Sequence, residues 1–310
     1  MDWSAFLPTF VITLREGVEA ALVVGIVLAY LKKVNQSGLN AWVYAGVGSG
    51  LAASVLVGVI LNGILLRLAA SESPNAVVLK PLLEAFFCGV AIALLSWMLV
   101  WMTKQARLMK SEVEGGVNAV LQQASGAGWG LFGLVAIAVL REGFETVLFI
   151  AAQGDVGWMA VGGAIAGLCG AVLIGFLLFQ IGVKINLRQF FQGMGVLLLL
   201  IVSGLVITAL RKLDGAIAAW VQLAPEYGAL CWTGEPSCLL GPLVWDLSQV
   251  LPDRQFPGIL LKAFFGYTQR LYGVQAIAYL AFLGTVGGIY FRSLAFPSAQ
   301  MGQGKVSEGR

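Results

Sequence analysis

Seven long apolar stretches, separated by polar links, set the frame of the chain: they lie near 5–31, 41–67, 81–103, 129–153, 157–181, 190–210 and 273–291. Each is about 20 residues or longer, the length an α-helix needs to cross the hydrocarbon core of a bilayer. Lipid offers the backbone no hydrogen-bond partners, so such stretches predict an all-α integral membrane protein with seven transmembrane helices. The links after the first, third and fifth stretches carry Lys32 and Lys33, then Lys104, Arg107 and Lys110, then Lys184 and Arg188. The second link carries only Arg67 and Lys80, and the fourth has no basic residue. The positive-inside rule therefore predicts the N-terminus outside and the C-terminus inside.

One phrase breaks the apolar pattern twice. Arg15-Glu16-Gly17-Val18-Glu19 interrupts the first stretch and Arg141-Glu142-Gly143-Phe144-Glu145 the fourth. A charge near the centre of a membrane helix costs roughly 2.5–3.5 kcal/mol by the milder insertion scales, so such residues serve a function by default. The similarity continues beyond the phrases. Gly46, Gly50, Leu51, Val55, Leu56 and Gly58 match Gly163, Gly167, Leu168, Val172, Leu173 and Gly175 at one constant offset, and Phe86-Phe87-x-Gly89 matches Phe190-Phe191-x-Gly193. Three spans per unit make the second copy enter the membrane from the opposite side, a 3+3 inverted repeat plus one additional helix. The expected organisation is a single membrane transport domain over 1–310. It comprises repeat one at 5–103, inverted repeat two at 129–210, a long outer connection at 212–272, a seventh helix at 273–291 and a disordered tail at 293–310.

Composition agrees and narrows the chemistry. The 310 residues are 59% hydrophobic and 11% charged, against about 25% charged in soluble domains. Histidine is absent, which removes bis-His haem sites, H-E-x-x-H zinc sites, E-x-x-H di-iron sites and Ser-His hydrolases. Without a nucleophile and base constellation, an enzyme is not expected. The net charge of +3 comes from scattered basic residues, so no nucleic-acid partner is implied. Cys88 and Cys169 read as small buried hydrophobes, whereas Cys231 and Cys238 share a polar connection and can pair in an oxidising compartment. That connection also holds Asp214, Glu226, Glu235, Asp246 and Asp253, read mostly as solvated acids.

On a helix, Glu16 and Glu19 share a face, as do Glu142 and Glu145, and each phrase's Arg lies four residues before its second Glu. Gly17 and Gly143 are expected to let the first and fourth helices cross in contact, which brings the four carboxylates together. Four Glu and two Arg leave a net charge of −2, which a cation neutralises. Carboxylates are hard donors suited to Mg²⁺, Ca²⁺, Mn²⁺ and Fe³⁺. Two other readings stay open: another transported cation such as Pb²⁺ or Mn²⁺, and a proton-coupled solute carrier with the glutamates as relays. Glu84 is either a fifth acid on the cation route or a snorkelling interface residue. The pairs Trp97-Met98 and Trp101-Met102 read as an aromatic belt at the cytoplasmic interface.

The doubled R-E-G-x-E phrase, Glu84 with the following Phe-Phe-Cys-Gly, the Trp-Met-Leu-Val-Trp-Met run and Gly266-Tyr267 before the last stretch together resemble the iron permease family. That family includes fungal ferric permeases and bacterial oxidase-dependent iron transporters. The resemblance runs to about Phe291. It implies a multi-pass plasma-membrane protein that imports iron, with Fe³⁺ as transported substrate rather than cofactor. It further implies Glu16, Glu19, Glu142 and Glu145 as iron-binding residues, Arg15 and Arg141 as their partners, and an extracytoplasmic ferroxidase or peroxidase as the supplier.

Overall fold

The computed structural model describes residues 3–70, 74–105, 109–122, 126–153, 157–181, 186–224, 226, 231, 237–253 and 255–295. Helix occupies all seven apolar stretches: α1 (Trp3–Lys33), α2 (Asn40–Ala70), α3 (Pro74–Gln105), α5 (Ala127–Gln153), α6 (Trp158–Phe176), α7 (Leu187–Leu223), and α9 (Gly273–Phe282) continued through a π-helical turn into α10 (Gly288–Ala295). Among the described residues, five helical segments are long and apolar enough to cross a membrane: Ser37–Ile64, Val77–Trp101, Trp158–Phe179, Gln189–Leu223 and Gly273–Leu294. Helices α1 and α5, of 31 and 27 residues, have comparable length and hold the two charged phrases. Large apolar side chains such as Val55, Leu56, Val59, Val172 and Leu173 are exposed, as expected of an integral membrane protein whose outer surface faces lipid.

Three boundaries differ from the sequence reading. Helix α7 runs on to Leu223 as one 37-residue helix, so the outer connection begins near 224 rather than 212. Between Arg211 and Pro225 no proline interrupts the chain, and nothing stops the helix earlier. Helix α4 (Met109–Leu121) forms in the link between the third and fourth stretches, burying Val117 against Val27, Leu31 and Val135. At the other end α10 extends through Ala295, past the predicted start of the tail at 293, and residues 296–310 lie outside the described residues.

The connection between α7 and α9 is ordered by acids of its own and by Asp214 of α7. Strand β1 (Leu243–Asp246) pairs antiparallel with β2 (Arg270–Tyr272), and α8 (Gly258–Phe265) lies between them in sequence. Asp214 accepts a hydrogen bond from the Leu239 amide over 2.6 Å, and Asp253 accepts one from the Gln269 amide over 2.6 Å. Asp246 accepts from the Ser248 amide and pairs with Arg270 at 3.0 Å. Hydrogen bonds from Ser248, reinforced by Arg270, hold its carboxyl below the usual range. These three acids are thus structural acceptors rather than merely solvated groups. Cys231 and Cys238 form a disulfide.

Packing follows the glycines. Helix α1 lies along α6, α5 along α2, and α3 against α7, while α1 also crosses α5. Gly46 and Gly50 press α2 onto the backbone of α5 at Phe132 and Ala136, and Gly163 and Gly167 press α6 onto α1 at Phe6 and Phe10. A Cβ at Gly50 would sit 2.9 Å from the Ala136 carbonyl oxygen, and one at Gly167 would sit 2.7 Å from that of Phe10. Small residues at these four positions allow the close backbone approach that membrane helices use in place of a hydrophobic driving force. The central core joins Ile12 of α1, Leu95 and Leu99 of α3, Phe149 of α5, and Leu198 and Val202 of α7.

Candidate functional site

The α1–α5 crossing brings carboxylates from the two phrases together. One oxygen from each of Glu16, Glu19 and Glu142 lies within 4.8 Å of the others. Glu16 and Glu19 are 1% and 5% exposed, although either would be hydrated on an ordinary helix surface. Arg15 compensates them from the same helix: its Nη1 donates to Glu16 Oε1 over 2.6 Å, and its Nη2 lies 3.1 Å from Glu19 Oε1. The pairing with Glu19 is the one-turn contact that the spacing predicts.

The second phrase is arranged more openly. Arg141 Nε donates to Glu145 Oε1 over 3.4 Å, again one turn away. The Arg141 side chain is half exposed, and its guanidinium carbon lies 5.3 Å from the centre of the Trp101 ring, a cation–π geometry. Arg15, by contrast, is buried and also donates to the Met98 sulfur over 3.4 Å. The third span therefore contacts both arginines.

Oxygens without hydrogen-bond partners remain: Glu16 Oε2, Glu142 Oε2 and Glu145 Oε2 are buried with none. Burying an ionised oxygen unsatisfied costs several kcal/mol, on the order of the desolvation penalty of a charge. A hard cation among these oxygens would remove that penalty, because carboxylates are its preferred ligands.

Several sequence expectations are corrected. Gly17 and Gly143 do not face each other: Gly17 abuts Ala171 of α6 and Gly143 abuts Ser54 of α2. Each glycine thus seats its phrase-bearing helix against the second helix of the other repeat, not against the other phrase-bearing helix. Met98 and Trp101 also contact the arginines, a role the belt reading did not include, while Trp97, at 75% exposure, faces outward. Their three-residue spacing placed both on one face of α3, a signal that hydropathy alone does not separate from a belt. Cys88 is buried as expected, but Cys169 is exposed. Glu84 is buried and paired with Lys212 across α3 and α7, so it does not snorkel, and it stands apart from the three clustered oxygens.

Comparison with known proteins adds an independent line. The iron permease FTR1 family model matches residues 6–291. The chain is 50% identical over 296 residues to an uncharacterized protein of Synechocystis sp., covering 95% of this chain and 96% of the relative. It is 33% identical over 267 residues to the ferrous iron permease EfeU of Shigella sonnei, covering 85% and 87% of the two chains. It is 32% identical over 283 residues to the ferrous iron permease EfeU of Yersinia pseudotuberculosis, covering 91% and 90%. No solved structure matches the chain.

Proposed function

The chain belongs to the iron permease FTR1 family and serves iron transport across a membrane; from that premise we propose that it imports ferric ion through the glutamates of its two R-E-G-x-E phrases. The observation that carries this reading is the convergence of Glu16, Glu19 and Glu142 from two helices within 4.8 Å, in a buried setting. Glu145 joins from the α5 side, held by Arg141. The charged phrase is written into both helices because each supplies half of the ligand set.

The wider architecture is part of the same proposal. Seven spans, with α1–α3 and α5–α7 as inverted halves and α9–α10 as the seventh, place the site at the interface of the halves. Reciprocal packing supports this: Gly46 and Gly50 seat on Phe132 and Ala136, as Gly163 and Gly167 seat on Phe6 and Phe10, and the contacted residues match at the offset that relates Glu16 to Glu142. The N-terminus lies outside and the C-terminus inside a plasma membrane, with an extracytoplasmic ferroxidase or peroxidase delivering Fe³⁺. Ordered acids and a disulfide in the outer connection suit that oxidising side.

One observation favours a second reading. The relatives at 33% and 32% identity are ferrous iron permeases by name, and carboxylates also bind Fe²⁺, so Fe²⁺ is the alternative cargo. Uptake of labelled iron into proteoliposomes, supplied separately as Fe³⁺ and Fe²⁺ with and without a proton gradient, decides between them. Faster saturable uptake of Fe³⁺ that disappears in Glu16→Ala and Glu142→Ala is the expected result. Iron uptake undiminished in both variants would sink the site.

A further inference from the structure

The two phrases are approached by different side chains. Thr9 and Thr13 stand seven and three positions before Glu16, whereas Val135 and Val139 hold the matching positions before Glu142. At about 100° per residue, Thr9, Thr13 and Glu16 fall within about 60° of one another around α1. The three are stacked along roughly 10 Å of the helix. Both threonines are buried, at 0% and 8% exposure, and neither hydroxyl has a hydrogen-bond partner.

Among the described residues most other helical hydroxyls are satisfied, Ser96 of α3 being an exception. Thr146 donates to the Glu142 carbonyl over 3.2 Å, Thr208 to that of Gly204 over 3.3 Å, and Ser54 to that of Gly50 over 2.8 Å. Each satisfies itself on the preceding turn, the usual resort of such residues. A buried hydroxyl that does not bears its desolvation cost uncompensated, a cost that a methyl in the same place avoids. The other half of the molecule has that methyl. Val135 and Val139 pack in an apolar cluster with Val27, Leu31 and Val43. The local geometry is otherwise equivalent, because the Thr13 Cβ lies against Gly167 as the Val139 Cβ lies against Gly50. Threonine and valine have nearly the same shape, so packing alone gives no reason for the difference.

We propose that Thr9 and Thr13 are weak binding steps for the transported cation and its water on the way to Glu16, and that Val135 and Val139 keep the matching stretch beside Glu142 dry. The inference rests on the reading of the glutamates as the iron transport site. A hydroxyl offers a hard, neutral oxygen that accepts from water or binds a cation without a full charge. Neutral donors ahead of a carboxylate cluster let the ion shed water in steps and move on, which conduction requires of every site except the tightest. The polarity of the path then differs between the halves of an otherwise repeated scaffold.

The test uses the full chain in proteoliposomes, with Cys88 and Cys169 replaced by alanine; Cys231 and Cys238 are bridged. A cationic thiosulfonate is applied to Thr9→Cys, Thr13→Cys, Val135→Cys and Val139→Cys, each alone. The first two should react at least about tenfold faster, since reaction needs a water-accessible thiolate. Equal rates, or the reverse order, overturn the proposal. In parallel, T9V/T13V should slow iron uptake about tenfold while leaving equilibrium iron binding in detergent unchanged, because the glutamates are intact. Wild-type uptake by T9V/T13V beside an inactive Glu16→Gln would also overturn it. Failure of the unsubstituted protein to move iron would instead sink the transport reading, and the thiol rates would still decide whether the threonine face admits a cation.

Discussion

Arg15 donates to Glu16 over 2.6 Å with both side chains at 3% exposure or less. Its counterpart Arg141 is half exposed and rests on Trp101. The same phrase thus makes one sealed and one open charge pairing. Removing one partner of a buried ion pair strands the other and costs about 3–5 kcal/mol, whereas the Arg141–Glu145 pair is longer, at 3.4 Å, and only partly enclosed, so its loss strands less. Arg15→Met should therefore lower the unfolding temperature in detergent far more than Arg141→Met. Equal losses would show that the two pairings are energetically alike. Arg15→Lys should retain much of the stability yet lose uptake, because an ammonium cannot serve Glu16 and Glu19 with a planar fork.

Iron affinity should divide the glutamates by their position. Glu16→Gln, Glu19→Gln and Glu142→Gln each replace a charged ligand by a neutral one of the same shape. A charge-assisted contact is worth about 1.5–3 kcal/mol, so each change should weaken iron binding about 10- to 100-fold. Glu84→Gln should leave affinity near wild type, since Glu84 already has Lys212 and stands outside the converging set. Equilibrium binding in detergent measures all four. An affinity loss in Glu84→Gln as large as in Glu16→Gln would redraw the site.

Glycine substitutions should divide by what stands opposite. A Cβ at Gly167 would meet the Phe10 carbonyl oxygen at 2.7 Å and the Thr13 Cβ at 2.8 Å, and one at Gly50 would meet the Ala136 oxygen at 2.9 Å. Backbone cannot yield like a side-chain tip, so Gly167→Ala and Gly50→Ala should destabilise by about 1–3 kcal/mol. Gly193 in α7 has nothing within 4 Å, and Gly193→Ala should stabilise by about 0.5–1 kcal/mol through helix propensity. Thermal unfolding of the three variants checks the order. A destabilised Gly193→Ala beside a neutral Gly167→Ala would contradict the packing.

The helices and the charged cluster were legible for one physical reason: membrane burial makes apolar length and intramembrane charge conspicuous in sequence. The Arg15–Glu19 and Arg141–Glu145 pairings followed from helical spacing alone. Contacts between distant segments were not legible. Nothing near Gly17 in sequence says that it meets Ala171, and nothing near Glu84 says that Lys212, in a helix expected to have ended, will reach it. Helix α4 is not legible in the sequence because it is short and mixed in polarity, and its buried Val117 gains meaning only from the cluster it completes. Met98 and Trp101 were visible as residue types but not as partners, since an interfacial belt and a support for arginine look alike until the helices are packed.

Glu84 and Lys212 join α3 to α7 with 9% and 18% side-chain exposure. Breaking such a pair leaves a largely buried charge alone, so Lys212→Met should destabilise by about 3 kcal/mol, the lower end expected for buried pairs. Replacing both residues with apolar ones of similar volume removes the attraction and the desolvation cost together, which is commonly neutral or stabilising. E84L/K212M should therefore recover the stability that K212M loses. Unfolding in detergent reads the first half of this prediction, and iron uptake reads the second. Since the charge of Glu84 is matched by Lys212 and absent from the carboxylate cluster, uptake should return together with stability. Stability restored without uptake would instead place Glu84 on the route of the ion, because the double variant then lacks only its carboxylate.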